Sequence, residues 1–341
     1  MRSGTNPTVN DVATAAGVST ATVSRCINSP EVVQPDTLRR VRAAIDTLGY
    51  APNFGARALA AKRTNTVGAI VPTLENAIFA RGLEAVQREL AAAGSTMLVS
   101  SSSYDPEQEA EQIRTLVARG ADALLLIGFE RSAEIYDFLD RRKIPHVVAW
   151  AFAPDQPRPA VGFDNRAAMR ALAEKTLAFG HRRIGLVTAQ REGNDRAQNR
   201  WLGLLDAMRA AGLGEDDLSL QETVYDIESG RAAAHALLTR DPRPTVIMCG
   251  NDVLAAGAMI AARELGLSVP EDVSITGFDD IEIARVLTPQ LTTVHVPHRE
   301  MGRRAARMLI DMRDDATAAD SVELGTEVIL RGTLGPAPVT P

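Results

Sequence analysis

Two hydrophobic periodicities divide the chain near residue 64. Before this point, apolar residues recur three or four positions apart in short stretches, as they do on one face of a helix. After it, short apolar runs rich in β-branched residues alternate with longer amphipathic stretches, which is typical of βαβ units around parallel sheets. The pattern predicts a small all-α segment followed by a larger α/β body.

The start of the chain predicts a helix-turn-helix. Thr8 can cap a first helix that Gly17 ends, and Ser19 can cap a second short helix over residues 20–27. Two short helices joined by a tight glycine turn form this motif, although the same arrangement also occurs in ordinary helical domains. Apolar positions 9, 12 and 16, and then 23 and 27, are predicted to form the buried faces.

A third helix and a weak fourth helix complete the first sixty residues. The third helix follows Pro35 and ends before Gly49. Its predicted apolar face consists of Leu38, Val41, Ile45 and Leu48. The fourth covers residues 53–61 in about two turns and contains Gly55, which costs roughly 1 kcal/mol relative to Ala, so we expect this helix to be unstable in isolation.

The pattern of the α/β body predicts two similar halves, which a proline-rich connection at residues 154–159 separates. Predicted strands cover residues 67–71, 96–100, 123–127, 146–149, 184–188, 245–249 and 273–277, and predicted helices include 79–93, 107–118, 166–178 and 198–211. Two α/β halves in series indicate a ligand cleft between them.

The two parts differ in charge. Residues 1–63 carry a net charge of +4 and the remainder −10, within a total of −6. A basic segment suits the neutralisation of phosphates, whereas nucleic acid would repel the acidic body. The charge therefore favours a small nucleic-acid-binding segment over a chain that coats nucleic acid throughout.

Composition and missing motifs narrow the function further. The chain has 45% hydrophobic and 23% charged residues, which is typical of globular proteins. It lacks a long apolar stretch and a signal-peptide-like start, so we expect no membrane partner and a cytoplasmic location. Cys26 and Cys249 lie in different predicted parts, so we expect no disulfide. Zinc-site spacings and common enzyme motifs are missing, so we expect no metal, no cofactor and no enzymatic activity.

Several segments, taken in order, resemble the headpiece of the LacI/GalR family of transcription regulators. They are Asp11-Val12-Ala13, Ala16-Gly17-Val18-Ser19, Ala21-Thr22-Val23-Ser24-Arg25, Asn28, Leu48-Gly49-Tyr50-Ala51-Pro52-Asn53 and Ala58-Leu59-Ala60. The body resembles the effector domains of that family and also periplasmic sugar-binding proteins. The resemblance implies a helix-turn-helix headpiece with a hinge helix, followed by a two-lobed α/β effector domain.

The resemblance also implies the domain boundaries. The headpiece would cover residues 1–50, the hinge helix and linker 51–63, and the effector and dimerisation domain 64–341. The segment from Leu291 to Met312 resembles the family's return to the first lobe. We therefore predict one lobe from residues 64–160 with 292–320, and another from 161–291 with 321–341.

The resemblance assigns DNA contacts to the headpiece of a homodimer on a palindromic double-stranded operator. Thr20, Ala21 and Arg25 would read base edges in the major groove, where a guanidinium can donate twice to guanine. Six residues with short hydrogen-bonding groups would contact phosphates: Thr8, Ser19, Thr22, Ser24, Asn28 and Tyr50. The alternative is that these six are caps and solvated polar residues.

In the hinge, the resemblance places Leu59 between base pairs of the minor groove, with Ala56 beside it. Leu59 could instead belong to a small hydrophobic core. Some family members also carry a C-terminal leucine heptad that joins dimers into tetramers. Residues 311–341 have no such repeat, so we expect a dimer.

A sugar-binding cleft needs carboxylates, amides and guanidinium groups together with an aromatic face. Seven residues are candidates for this site because they follow predicted strands, match the family's site or are aromatic. They are Phe79, Asp164, Arg200, Tyr225, Asn251, Asp252 and Asp279. The alternative is that the Asp and Asn residues cap helices and that Arg200 forms a surface ion pair.

Together, the residues and the resemblance predict a sequence-specific transcription regulator, a repressor of a carbohydrate-utilisation operon controlled by a small sugar or sugar acid. Residues 160–165 resemble gluconate-operon repressors, which favours a sugar acid. Val296 stands where lactose-type repressors have glutamine, so we expect a different ligand. The alternatives are a sugar-binding transport component and an α/β enzyme. The sequence leaves open the effector, the operator and the sign of the response.

Overall fold

The computed structural model describes residues 7–51, 63–75, 77–315 and 319–338. The chain divides into two compact units, Met1–Thr64 and Asn65–Pro341. The hinge predicted at residues 53–61 lies outside the described residues.

The first unit is a three-helix headpiece. Its helices are α1 (Val9–Ala16), α2 (Thr20–Asn28) and α3 (Pro35–Leu48), with a 3₁₀ turn at Pro30–Val32. Gly17 and Gly49 end α1 and α3 in left-handed conformations that glycine adopts without steric cost. The predicted third helix is confirmed, with Val41 and Ala44 buried and Leu38 and Ile45 partly buried, but Leu48 at its end is 37% exposed.

Cys26 also packs in the headpiece core, with Val12 and Val23. Both cysteines of the chain are buried and reduced.

The second unit is built from twelve strands and nine helices among the described residues. Its strands are β1 (Thr66–Val71), β2 (Thr96–Ser101), β3 (Ala123–Ile127), β4 (His146–Ala149), β5 (Ala160–Gly162), β6 (Ile184–Ala189), β7 (Leu218–Thr223), β8 (Val246–Cys249), β9 (Ser274–Thr276), β10 (Thr293–His295), β11 (Val322–Glu323) and β12 (Glu327–Ile329). Its helices are α4 (Ala77–Ala92), α5 (Pro106–Ala118), α6 (Ala133–Arg142), α7 (Asn165–Ala178), α8 (Asp195–Ala210), α9 (Ile227–Leu238), α10 (Asp252–Glu264), α11 (Ile283–Val286) and α12 (His298–Asp315), and a 3₁₀ turn lies at Glu215–Asp217.

Two parallel sheets define two lobes. The first lobe contains the sheet β11-β5-β4-β3-β1-β2, and the second contains β7-β6-β8-β9. The strand β5 pairs with β4, so the lobe boundary predicted between residues 160 and 161 falls inside a strand of the first sheet.

The end of the chain is divided between the two lobes. Val322–Glu323 pairs with β5 in the first lobe, although 321–341 was predicted to belong to the second. Farther along, Ile275 N donates to Thr333 O, and Gly335 N donates to the Ser274 hydroxyl, both in the second lobe. The last passage from the first lobe to the second therefore comes after Glu323, later than the predicted boundary.

The helices α4 and α12 of the first lobe pack so closely that they need glycine. A Cβ on Gly302 would lie 2.1 Å from the backbone oxygen of Gly82, which cannot move as a flexible side chain would. We expect Gly302→Ala to destabilise the second unit by about 1 to 3 kcal/mol through overpacking. Thermal unfolding measures this change.

The matched control is Gly325→Ala. Gly325 is exposed, and a Cβ there would have no neighbour within 4 Å. We expect a change of at most about 0.5 kcal/mol, as for other exposed positions. Equal melting temperatures for the two variants would contradict the close helix contact.

Candidate functional site

The exposed face of α2 presents the three predicted base-reading residues. Val23 and Cys26 anchor the opposite face in the headpiece core. Thr20, Ala21 and Arg25 are all exposed, and Arg25 lies about one turn after Ala21 along the helix. Among the described residues, no side chain pairs with the Arg25 guanidinium. The helix therefore leaves these side chains free to contact an external surface.

Two of the predicted phosphate-contact residues begin helices. The Thr8 hydroxyl accepts from the Asp11 amide at 3.4 Å, and Asp11 Oδ2 accepts from the Thr8 amide at 2.7 Å, which forms a capping box. The Ser19 hydroxyl accepts from the amide of Thr22 at 3.1 Å and also contacts the Thr22 hydroxyl at 2.9 Å. The predicted caps are confirmed, and their phosphate contacts stay predictions.

The other residues predicted to contact DNA differ in their surroundings. Asn28 Nδ2 donates to the Ser24 hydroxyl at 3.2 Å on the exposed side of α2. Tyr50 is half-buried and packs against the headpiece core. Ala56 and Leu59 lie outside the described residues, so the minor-groove prediction rests on the sequence.

A cavity lies between the two lobes of the second unit. The first lobe contributes Ile78, Phe79, Tyr104 and Trp150, and the second contributes Asn194, Arg196, Arg200, Tyr225, Asn251 and Asp279. Five of the seven predicted effector residues are therefore brought together. Asp164 and Asp252 are the two that are not.

Asp279 is the most distinctive residue of the cavity. It is 1% exposed, yet among the described residues no donor hydrogen-bonds to either carboxylate oxygen. Its neighbour Asp280 is saturated by contrast, since it pairs with Arg331 at 2.6 Å, His295 at 3.0 Å and Arg285 at 3.3 Å. An unsatisfied buried carboxylate in a cavity is an acceptor for a ligand.

The backbone conformation and the pKa of Asp279 are also unusual. Its φ of 102° lies in a region that favours glycine, and such strain concentrates at functional sites. Burial raises the pKa of the carboxyl to about 6, against the opposing effect of Arg200. Asp279 is therefore ionised at neutral pH but close to its titration range.

Arg200 holds one side of the cavity. Its Nε donates to Asn165 Oδ1 at 2.9 Å and its Nη1 to Gly250 O at 2.6 Å. Its guanidinium lies 3.8 Å from the centre of the Phe278 ring, and Nη2 is 3.6 Å from Asp279 Oδ1. Arg200 is buried rather than part of a surface pair, and its fixed orientation supports the position of Asp279.

The Asn251 side chain has one atom that caps a helix and one that has no hydrogen-bond partner among the described residues. Its Oδ1 caps α10 by accepting from the amide of Leu254 at 2.8 Å. Its Nδ2 is buried and has no hydrogen-bond partner among the described residues. The side chain therefore caps a helix and still offers a donor to the cavity.

Aromatic rings form two walls of the cavity. Phe79 and Trp150 pack with ring centroids 5.4 Å apart, and Tyr104 and Tyr225 pack at 5.8 Å across the two lobes. Burial raises the pKa of both tyrosines, so their hydroxyls stay protonated. Such walls suit the apolar face of a small ring.

The carboxylates of Asp164 and Asp252 are used within the protein. Asp164 caps α7 by accepting from the amides of Arg166 and Ala167, at 2.8 and 3.0 Å. Asp252 accepts from the Thr293 hydroxyl at 2.6 Å and from the Ile281 amide at 2.8 Å. Because these groups are satisfied and do not line the cavity, we leave both residues out of the proposed ligand site.

Arg196 belongs to a contact between lobes that sequence reasoning missed. Its Nη1 donates to Ile127 O at 3.1 Å, and the neighbouring Asp195 accepts from the Phe129 amide at 2.6 Å. The contacts join the start of α8 to the end of β3 and to the loop after it. Tyr104, Trp150, Asn194 and Ile78 were also missed, because each comes from a loop or helix whose place in the cavity depends on the tertiary fold.

The described residues lack both a metal-binding cluster and a membrane-spanning helix. They contain no group of three or more His, Cys, Asp or Glu side chains arranged to hold a metal ion. They also contain no helix that is long and apolar enough to cross a membrane.

Comparison with known proteins gives a consistent picture. Residues 8–53 match the bacterial regulatory proteins of the lacI family, and residues 173–334 match a periplasmic binding protein-like domain. The HTH-type transcriptional repressor PurR of Pectobacterium atrosepticum is 36% identical over 316 residues, which cover 91% of this chain and 92% of the relative. The chain belongs to the lacI family. It is therefore a DNA-binding transcription regulator.

Solved structures of transcription regulators support the same architecture. A lacI-family regulator from Silicibacter pomeroyi superposes with a TM-score of 0.87 at 29% identity, over 96% of this chain and 99% of that one. A complex of the regulator CelR with cellobiose superposes with a TM-score of 0.70 at 28% identity, over 96% and 99%. The predicted fold class, a helix-turn-helix headpiece with a two-lobed periplasmic-binding-protein-like domain, is confirmed.

Proposed function

We propose that a small hydroxylated molecule, a sugar or sugar acid, binds in the cavity between the lobes and controls the affinity of a homodimer for a palindromic operator. The carboxylate of Asp279 carries this proposal, because it is buried, ionised and free to accept hydrogen bonds. Sugar hydroxyls are donors of the required kind, and the aromatic walls suit the face of a sugar ring. The cellobiose-bound relative supports the same class of ligand.

Contacts between the two lobes explain how a ligand would control operator binding. Tyr104 and Tyr225 meet across the cavity, and Arg196 reaches from one lobe to the backbone of the other. A ligand that binds one relative position of the lobes more tightly than another shifts the population toward it. Because the coupling is reciprocal, the same ligand changes operator affinity by the factor by which operator changes ligand affinity.

The screening experiment measures the melting temperature of the protein with sugars, sugar acids and nucleosides. We expect a sugar or its acid to raise the melting temperature and to change operator binding, and we expect to recover it chemically unchanged after incubation. The neutral sugar and its acid are compared, because Arg196 and Arg200 beside the cavity favour a carboxylate. A ligand that is converted to product would contradict the regulatory role without turnover.

Ligand affinity should depend on pH through Asp279. The ligand complex needs the ionised carboxylate, and burial raises the pKa of this group to about 6 in the free protein. The affinity for the ligand should therefore have its full value above pH 6 and should fall as the pH is lowered through 6. At pH 5 it should be about tenfold below that full value. Calorimetric titration between pH 7.5 and 5 measures the profile.

The control for this profile is Asp279→Asn, which cannot titrate at this position. The residual affinity of this variant should be nearly constant over the same range. A wild-type profile as flat as that of the variant, or equal slopes in both, would show that Asp279 does not contact the ligand.

A further inference from the structure

The loop after β3 is held in place by a buried side chain of its own lobe. The guanidinium of Arg131 donates to Ile127 O at 3.0 Å and also to Gly128 O. The charge of Arg131 is paired with Glu109 of α5 at 2.8 Å, and the Arg131 side chain is only 2% exposed. The first lobe therefore fixes the backbone of this loop without help from the second lobe.

The second lobe contacts the same loop through the first turn of α8. Asp195 Oδ2 accepts from the Phe129 amide at 2.6 Å, and Arg196 Nη1 donates to Ile127 O at 3.1 Å. The two side chains also pair with each other at 2.8 Å and are mostly buried. Hydrogen bonds to charged groups are stronger than neutral ones, and burial reduces their screening by salt. These contacts therefore favour the relative position of the lobes in which they form.

Gly128 leaves the space that both charged groups occupy. A Cβ on this residue would overlap Arg196 Nη1 and Asp195 Oδ1. Its φ of 73° also lies in the left-handed region, which glycine adopts without steric cost. Gly94 of the first lobe has a similar φ of 68°, but a Cβ there would have no neighbour within 4 Å. Gly128 is thus required by the contact between the lobes as well as by the turn.

We propose that Gly128, Asp195 and Arg196 form a latch that stabilises one relative position of the lobes without effector and thereby sets the affinity for operator. Neither Gly128 nor Asp195 lines the effector cavity. The latch therefore acts on the lobes and not through contact with the ligand. This inference rests on the proposed function, in which the position of the lobes controls operator binding, and it adds the residues that bias that position.

The first test measures hydrogen exchange of the ligand-free full chain by mass spectrometry. The peptide that contains Phe129 should exchange at least about fivefold faster in Asp195→Ala and in Gly128→Ala, because its amide loses a charged acceptor. Gly94→Ala introduces the same backbone strain without the overlap, so it should leave this peptide unchanged. Equal exchange of the peptide in wild type and in the two latch variants overturns the inference.

The second test measures the Kd for an operator obtained by in vitro selection, again without effector. Gly128→Ala and Asp195→Ala should change this Kd in the same direction and by at least about fivefold, because both release the latch. Asp206→Ala is the matched control on α8, since Asp206 pairs with Arg166 inside the second lobe at 2.6 Å. The control should stay within about twofold of wild type, as for other surface substitutions.

A double variant distinguishes one latch from two unrelated defects. Gly128→Ala and Asp195→Ala break the same contact, so combining them should change the operator Kd by less than about twofold beyond the larger single effect. Effects that multiply would show that the two residues act independently and would overturn the latch. Asp195→Asn keeps an acceptor for the Phe129 amide but removes the charge, so its Kd should lie between those of wild type and Asp195→Ala. Melting temperatures check that each variant folds.

The outcomes distinguish failure of the latch from failure of the proposed function. Operator affinities of Asp195→Asn and Asp195→Ala that match wild type, or opposite changes in Gly128→Ala and Asp195→Ala, overturn the latch alone. The effector screen and Asp279→Asn test the proposed ligand class without altering the latch residues. Failure of that screen, together with changed operator binding in the latch variants, would refute the ligand class and leave the latch supported.

Discussion

Replacing Arg25 by Ala should weaken binding to the cognate operator by roughly 1 to 3 kcal/mol and remove the preference at one symmetric base pair. Arg25 lies on the exposed face of α2, and no described side chain pairs with its guanidinium. Fluorescence anisotropy with an operator obtained by in vitro selection measures the loss. A panel of operators substituted one base pair at a time locates it.

The matched control is Arg42→Ala, which removes one exposed positive charge from α3. Any loss in this variant should be similar on operator and random DNA, and salt should reduce it, because only a phosphate contact or the general field is changed. If Arg25→Ala also weakens both kinds of DNA equally, Arg25 holds phosphate and does not read a base.

Replacing Asp279 by Asn should raise the Kd for the effector at least about tenfold, or roughly 1.4 kcal/mol. The substitution keeps the size of the side chain but removes the charge and turns one acceptor into a donor. Hydrogen bonds to charged groups contribute about 1.5 to 3 kcal/mol, which makes this the largest single loss expected in the cavity. Calorimetry with the effector from the screen measures it.

Asp164→Asn is the control for the same chemical change. Asp164 caps α7 outside the cavity, and Asn caps helices about as well as Asp. Effector affinity should therefore stay within twofold of wild type, an allowance of about 0.4 kcal/mol. Equal losses in the two variants would point to a general effect on the second lobe.

The sequence was most informative where local rules decide structure. Thr8, Gly17, Ser19 and Gly49 stand at helix ends, where capping chemistry and left-handed backbone restrict the residue type, and the headpiece helices were predicted within a residue or so. Long strands such as β1 and β3 were recognisable from buried apolar runs. Family resemblance added the order of the lobes.

The strands β5 and β11 escaped prediction because so few residues carry little periodicity. The strand β5 has three residues and β11 has two, and their pairing with β4 and with each other depends on chain crossings. As a result, the predicted boundary at 160/161 cut the first sheet. Leu48 had the correct spacing for the core, yet the end of α3 leaves it exposed.

In the cavity, residue type alone did not separate a cap from a ligand group. Asp164, Asp252 and Asp279 all follow strands, but only Asp279 lacks donors for its carboxylate among the described residues. The difference depends on which amides and hydroxyls the fold brings nearby. Likewise, Trp150 and His298 are 148 positions apart, and their contact has no signal in the local sequence.

The central claim is that the cavity ligand controls operator binding, and one titration tests it most directly. Operator affinity is measured by anisotropy with and without saturating effector, for wild type and for Asp279→Asn at the same effector concentration. A coupling of 1 to 3 kcal/mol predicts a change of about 5 to 150-fold in wild type. In Asp279→Asn, operator affinity without effector should match wild type and the response should be greatly reduced. An effector that leaves wild-type operator affinity unchanged, or shifts both proteins equally, would contradict the account.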